Sequence, residues 1–253
     1  MLVMGILNVT PDSFADGGKY FDSEHAIARG LEMISEGVNV IDIGGESTRP
    51  GAERVSAEEE QQRTIPVIKV LTGKGAVISI DTMSADTAKK AVEAGASIVN
   101  DVSGGKADPT MFATVAALNC RYVLMHWRGH SKDMNSLAVY EDVVVDVINE
   151  LKEQIEKAIA AGIKKENLIL DPGLGFSKDV RHNWEILDRL QELQALGYPI
   201  LIGASRKRFL GGDDPDQREV ATINLTKTLV GKNIWGVRVH SVKPHREVID
   251  SHV

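Results

Sequence analysis

The chain of 253 residues carries a single cysteine, Cys120, so an intrachain disulfide framework is excluded. Cys120 opens the strand-like run Cys120-Arg121-Tyr122-Val123-Leu124, which predicts a plain buried thiol. Long apolar runs are missing as well. None approaches the ~18 residues that a membrane-spanning helix needs, so no membrane association is expected. Positive charge is in short supply, with 29 Lys and Arg against 36 Asp and Glu and a formal net charge of −7. A broad nucleic-acid footprint needs a basic face and is therefore not expected. An anionic ligand would have to be met by locally placed cations. Met1 leads straight into a strand pattern with no basic stretch, so no leader is expected and a cytoplasmic, reduced setting is the default. Ser/Pro-rich linkers and composition breaks are absent too, which predicts one domain over residues 1–253.

What is present is an alternation. Strand-like runs lie at Val3–Leu7, Val38–Ile43, Ala76–Ile80, Ser97–Asn100, Arg121–Met125, Leu168–Leu170, Ile200–Ile202 and Trp235–Val239. Most are continuously apolar, the mark of parallel strands buried on both faces. Helical patterns follow them: one N-capped by Ser23 and ended by Gly37, one capped by Ser84 and stopping at Gly95, then Tyr140–Ala161, Asn183–Leu196, Gln217–Val230 and a short Lys243–His252. Eight such strands predict an α/β fold, a single (β/α)8 barrel with its site at the carboxyl ends of the strands. An open doubly wound sheet is the structural competitor.

The strand ends carry the chemistry. The first delivers Asn8 and then Val9-Thr10-Pro11-Asp12-Ser13-Phe14; the second delivers Asp42-Ile43-Gly44-Gly45-Glu46-Ser47-Thr48-Arg49-Pro50. Glycines permit unusual dihedrals, and Ser, Thr and Arg are good phosphate donors. The third ends in Asp81, the fourth in Asn100-Asp101, the fifth in Met125-His126 and the sixth in Asp171-Pro172-Gly173-Leu174-Gly175-Phe176. A carboxylate among apolar strand residues is costly to bury unpaired. For Asp81, Asn100 and Asp171 together, a shared polar ligand is the better explanation. The seventh end reads Gly203-Ala204-Ser205-Arg206-Lys207, and the eighth places Arg238 and His240 on one face by strand alternation.

Taken together, from Gly5 to His240, these blocks resemble the dihydropteroate synthase family. The resemblance implies a transferase that joins 4-aminobenzoate to (7,8-dihydropterin-6-yl)methyl diphosphate. It implies Mg²⁺ on Asn8, with the substrate's phosphates as further ligands. Thr48, Asp81, Asn100, Met125, Asp171, Lys207, Arg238 and His240 are expected on the pterin diphosphate, and Phe14, Pro50, Ser205 and Lys207 around 4-aminobenzoate. Asp81, Asp171, Lys207 and Arg49 are expected to act in the chemistry. Sulfonamides are implied as competing ligands and a homodimer as the assembly. Ala15 and Ser241 depart from the family's frequent residues, and Trp127–His130 lies in a variable loop. Barrel domains of pterin-dependent corrinoid methyltransferases share the acidic residues. Asn8, Thr48-Arg49, Lys207 and Arg238/His240 decide against them. None of these is lost, as a silent homologue would require, and too many strand ends match for a phosphate-binding barrel of unrelated function.

Overall fold

In the computed structural model, which describes residues 1–10, 19–46, 55–129 and 136–252, the described strands form one eight-stranded parallel sheet. The strands are β1 (Leu2–Asn8), β2 (Val40–Gly44), β3 (Ile78–Asp81), β4 (Ile98–Asp101), β5 (Arg121–Met125), β6 (Leu168–Asp171), β7 (Leu201–Ile202) and β8 (Gly236–Val239). Hydrogen-bonded neighbours run β6-β5-β4-β3-β2-β1-β8-β7. The remaining seam is closed by a parallel bridge between Leu170 and Ile200, with the Leu170 N–H donating to the Pro199 carbonyl at 2.9 Å. The fold is therefore a (β/α)8 barrel, and an open doubly wound sheet is ruled out.

Helices α1 (Lys19–Ser35), α2 (Ala57–Thr72), α3 (Ala85–Glu93), α4 (Met111–Leu118), α5 (Val143–Ala160), α6 (Val180–Asp188), α7 (Leu190–Gln194), α8 (Pro215–Leu229) and α9 (Lys243–Asp250) are described. None of the described helices is long and apolar enough to cross a membrane. Ser84 caps α3 as expected, its hydroxyl accepting from the Thr87 N–H. Several expected boundaries are corrected. Helix α1 starts at Lys19, so Ser23 lies within it and is not its cap. Helix α5 begins later than Tyr140, because the Asp142 carboxylate accepts from both the Val144 and Val145 N–H groups and fixes the start there. The single helix expected over Asn183–Leu196 is two, α6 and α7, broken at Arg189, whose backbone leaves the helical region (φ −109°, ψ 27°). Helix α8 starts at Pro215, behind an Asp214 cap. Helices α2 and α4 have no counterpart among the expected helical patterns.

Alternation along the strands sorts their side chains into two cores. Outward residues such as Val3, Ile41, Ile43, Ile80, Val99, Tyr122, Leu124, Leu170 and Val237 pack under the helices. Cys120 belongs to this layer, and burial pushes its thiol up to about 11, so it is the inert thiol its strand pattern predicts. Inward residues Met4, Val40, Ile98, Val123, Ile169 and Leu201 form a small apolar plug, with Trp235 against it. Each such fully buried aliphatic side chain contributes about 1.5–3 kcal/mol. The plug fills the amino half of the barrel. Continuing with the same parity, most inward positions nearer the carboxyl ends are polar, namely Asn8, Asp42, Ser79, Asp81, Asn100, Asp171, Arg238 and His240, with Met125 an apolar exception.

Candidate active site

Parallel register puts these polar groups at one level. Asn8 pairs with Gly44, Gly44 with Asp81, Asp81 with Asn100, and Met125 with Asp171. Gly44 and Gly203 supply no side chains, which leaves room above the plug. A Cβ on Gly203 would sit 3.3 Å from Asp171 Oδ2, so that oxygen faces the opening. The other oxygen, Oδ1, accepts from the Gly173 N–H at 2.7 Å.

Arg238 rises from β8 and bridges two carboxylates. Its Nε donates to Asp42 Oδ2 at 2.6 Å and its Nη2 to Asp81 Oδ2 at 2.6 Å. The Asn100 amide donates to the same Asp42 oxygen at 2.9 Å. Asp42 Oδ1 and the inward Ser79 Oγ are buried without a hydrogen-bond partner. Neighbouring Asp101 points the other way and is saturated, accepting from Ser103 N–H and O–H, Gly105 N–H and the Tyr122 hydroxyl. Of the adjacent pair Asn100-Asp101, only the first belongs to the site.

Lys207 follows β7. Its ammonium donates to the Leu174 carbonyl and stands 4.6 Å from the Phe176 ring centroid. Ser205 and His240 face each other, Oγ to Nδ1 at 2.9 Å, and the His240 N–H donates to the same hydroxyl. Met125 closes β5, buried beside Asp171. Phe14, Thr48, Arg49 and Pro50 lie outside the described residues.

Burial shapes the charges. It pushes the Asp81 carboxyl up to about 7 even with Arg238 beside it, because Asp42 adds like charge. It raises Asp171 too, against the pull of Lys207. Lys207 is drawn down to about 8 by desolvation, with Asp171 opposing. Arg238 is also penalised by burial, but Asp42 and Asp81 outweigh this and hold the guanidinium firmly charged. Three carboxylates and two cations thus share a pocket sealed below by the plug. Perturbed titratable groups gathered in one cleft mark a functional site.

Three residues that the sequence pattern does not assign to a site are tied to this pocket by the structure. Asp42 stands at its strand end with no expected role. His126 and Lys178 are not among the expected site residues; their ring nitrogen and ammonium meet at 2.9 Å although 52 residues separate them. For Asp42 a signal does exist: a lone carboxylate of inward parity within Val40-Ile41-Asp42-Ile43-Gly44.

A barrel with paired acids, an amide and cations at its mouth defines a pterin-binding type of site, and comparison with known proteins agrees. The family model described as pterin binding enzyme matches residues 4–240, so the chain belongs to that family. Within it the chain is a relative of the dihydropteroate synthases. It is 49% identical over 251 residues to that of Mycobacterium leprae, covering 95% of this chain and 88% of the relative. A Xanthomonas albilineans dihydropteroate synthase solved with 4-aminobenzoic acid superposes with a TM-score of 0.93 at 41% identity, covering 99% of this chain and 91% of that one. The Yersinia pestis enzyme, solved with a sulfonamide drug, superposes at 0.92 and 38% identity, covering 99% and 92%.

Proposed function

We propose that the chain is a dihydropteroate synthase, a transferase that condenses (7,8-dihydropterin-6-yl)methyl diphosphate with 4-aminobenzoate to give 7,8-dihydropteroate and diphosphate. The observation that carries this reading is the single inward layer of Asp81, Asn100, Asp171, Lys207 and Arg238 above an apolar floor. Asp171 Oδ2 is the acceptor for the 2-amino and N3–H edge of the pterin, since Oδ1 is already engaged by Gly173. Asp81 and Asn100 border the same ring, and Met125 forms an apolar wall. Lys207 stands between the pterin and the second substrate, beside Phe176.

In the reaction the methylene–oxygen bond to diphosphate breaks and a methylene–nitrogen bond to the arylamine forms, with loss of one amine proton. Positioned cations favour the departing negative charge. With Arg238 Nε and Nη2 held by carboxylates, Nη1 is its atom for a phosphate oxygen; His240, Thr48 and Arg49 complete the expected set. Asp81 and Asp171 stabilise positive charge developing on the pterin methylene. The arylamine is a weak base, so a dedicated general base is not required.

The donor set suits Mg²⁺. Asn8 Oδ1 and Asp81 Oδ2 flank the space over Gly44, at 3.8 and 3.6 Å from where its Cβ would be. Among the described residues no group of three His, Cys, Asp or Glu forms a dedicated cage. Mg²⁺ commonly uses one or two protein oxygens and completes its shell from substrate phosphates and water. Asn8 would hold the ion, and its chemistry there would be to neutralise diphosphate charge.

Sulfonamides are proposed to compete for the aminobenzoate position, formed by Ser205 and Lys207 together with Phe14 and Pro50. A homodimer is proposed on the apolar side chains exposed on α6 and α8, namely Val180, Trp184 and Val220. The proposed compartment is the cytoplasm, in keeping with a single cysteine and no disulfide framework.

The test is direct. Protein incubated with both substrates and Mg²⁺ should form 7,8-dihydropteroate. Asp171→Asn should lower pterin affinity by ~1.5–3 kcal/mol through loss of a charged hydrogen bond. Absence of product from the unaltered protein, or unchanged pterin affinity in the variant by calorimetry, would overturn this reading.

A further inference from the structure

The loop from Pro172 to Lys178, between β6 and α6, holds three residues in the left-handed region: Gly173 (φ 68°), Gly175 (φ 77°) and Ser177 (φ 48°). Ser177 is not glycine, and its Oγ is buried without a hydrogen bond, so its own side chain does not compensate the strain. Yet this loop positions two groups of the site. Gly173 holds Asp171 through its N–H, and the Leu174 carbonyl accepts from Lys207. It also fits closely under Lys207, whose Cδ would lie 2.9 Å from a Cβ on Gly175.

Lys178 folds back over this loop. Its buried Nζ donates to the Gly173 carbonyl at 3.1 Å, to the Phe176 carbonyl at 3.1 Å and to His126 Nδ1 at 2.9 Å. An ammonium has three N–H donors and here meets three acceptors; a neutral amine would lose one bond and turn a lone pair toward an acceptor. Because the lysine can only donate, His126 Nδ1 accepts and Nε2 carries the hydrogen, which it gives to Glu150 Oε2 at 3.0 Å. Burial, with Lys178 next to it, draws His126 down to about 3, so this contact is a hydrogen bond from a neutral ring. Arg128 clamps Glu150 through Nε and Nη2 and lies 3.8 Å over the Tyr140 ring. The Tyr140 hydroxyl donates to the Ser177 carbonyl at 2.9 Å. The chain of contacts closes on the loop where it began.

We propose that Lys178 is a positioning residue for the pterin: seated by His126 and Glu150, its ammonium holds residues 173–177 in the shape that presents Asp171 and Lys207 to the ring. The inference rests on the pterin-dependent reading above. Burial brings Lys178 down to about 7, with Asp171 and Glu150 pulling up and Lys207 and Arg128 pushing down. The third hydrogen bond is therefore lost as pH rises through this range. Asp171 and Lys207 titrate in the same pocket, so the test compares proteins at each pH.

Pterin-6-carboxylate is titrated calorimetrically into the unaltered protein, Lys178→Met and Lys178→Arg at pH 6.5 and 8.5. Lys178→Met should bind roughly tenfold more weakly at pH 6.5, the loss of one charged hydrogen bond. The gap should narrow toward unity at pH 8.5, where the native lysine is itself neutral. Arginine keeps its charge, so Lys178→Arg should match the native affinity at pH 6.5 within about threefold and exceed it at pH 8.5. If the methionine variant does not fold, the arginine comparison alone decides. Affinity ratios independent of pH, or a methionine variant within about twofold of the native protein at pH 6.5, overturn the proposal. Hydrogen exchange of the Gly175 and Phe176 amides without ligand separates the two readings. Faster exchange in Lys178→Met, with no pterin binding by the native protein, would sink the assignment of function and uphold the clamp. Native binding with unchanged exchange in the variant would sink the clamp.

Discussion

At the scale of single residues, Arg238 organises the floor of the pocket. Two buried carboxylates, Asp42 and Asp81, share its guanidinium, and the Asn100 amide adds one further donor. Removing one partner of a buried ion pair leaves an uncompensated charge and costs several kcal/mol. Arg238→Met should lower stability by about 3 kcal/mol at pH 7.5 in chemical denaturation. The loss should shrink at pH 5, where Asp81, at about 7 in the native protein, is already protonated and no longer an ion-pair partner. Equal losses at the two pH values would mean that Asp81 stays ionised. Strand parity alone makes Asp81, Asn100, Asp171 and Arg238 legible as inward groups. Parity cannot say which inward group meets which, so it leaves the hold of Arg238 on Asp42 invisible and only its affinity for phosphate in view. Lys178 and His126 escape for a related reason: each is ordinary in its own segment and becomes unusual only where the β5 and β6 loops meet.

At the scale of elements, the eight strands are readable because a doubly buried parallel strand is a short apolar run ending in small or polar residues. Helix α2 is not. Its first turn is Glu58-Glu59-Glu60, Pro66 interrupts its middle, and its apolar face is thin until Val67, Ile68 and Leu71. Helix α4, Met111–Leu118, is apolar on nearly every face and has no side-chain cap bond, so no period marks it. Glycine positions can be located in a sequence but not ranked. Gly75 (φ +84°) has nothing within 4 Å of where a Cβ would sit, whereas a Cβ on Gly173 (φ +68°) would lie 2.3 Å from the His126 carbonyl oxygen. Both alanine variants incur the left-handed penalty, about 1–2 kcal/mol. Gly173→Ala must in addition displace backbone that anchors Asp171, so it should be the more destabilising of the two and should also weaken pterin binding. Denaturant unfolding of the pair checks this. Similar midpoints would show that the β6 loop yields freely, against the tight clamp described above.

At the scale of the whole molecule, the buried charges set how stability depends on pH. Asp81 has its folded value raised to about 7 from an ordinary 3.8, so the native state binds the proton more tightly than the unfolded chain. Its contribution is complete below about pH 4 and is lost as pH rises to 7, by as much as about 4 kcal/mol. Glu150 and Glu219 have the opposite sign. Despite burial, their histidine and arginine partners hold both near 2 against an ordinary 4.5, so their support is present above 4.5 and lost only as pH falls toward 2. Lys178 at about 7 and Lys207 at about 8 are depressed from 10.5, so the native state recovers stability as pH rises beyond those values. His126, drawn down to about 3 from an ordinary 6.5, opposes Asp81, its support growing as pH rises from 3 to 6.5. Together these contributions place a trough near pH 7 that the lysines lift at higher pH. Asp81→Asn should accordingly gain thermal midpoint relative to the native protein on going from pH 5 to pH 7.5, because only the native protein carries the Asp81 loss. A pterin that donates to the carboxylates should raise the midpoint more at pH 7.5 than at pH 5, because it partners the charges that are uncompensated there. A midpoint difference between the two proteins that is the same at both pH values would mean that Arg238 keeps Asp81 ionised throughout. The pocket would then be electrostatically balanced without its ligand.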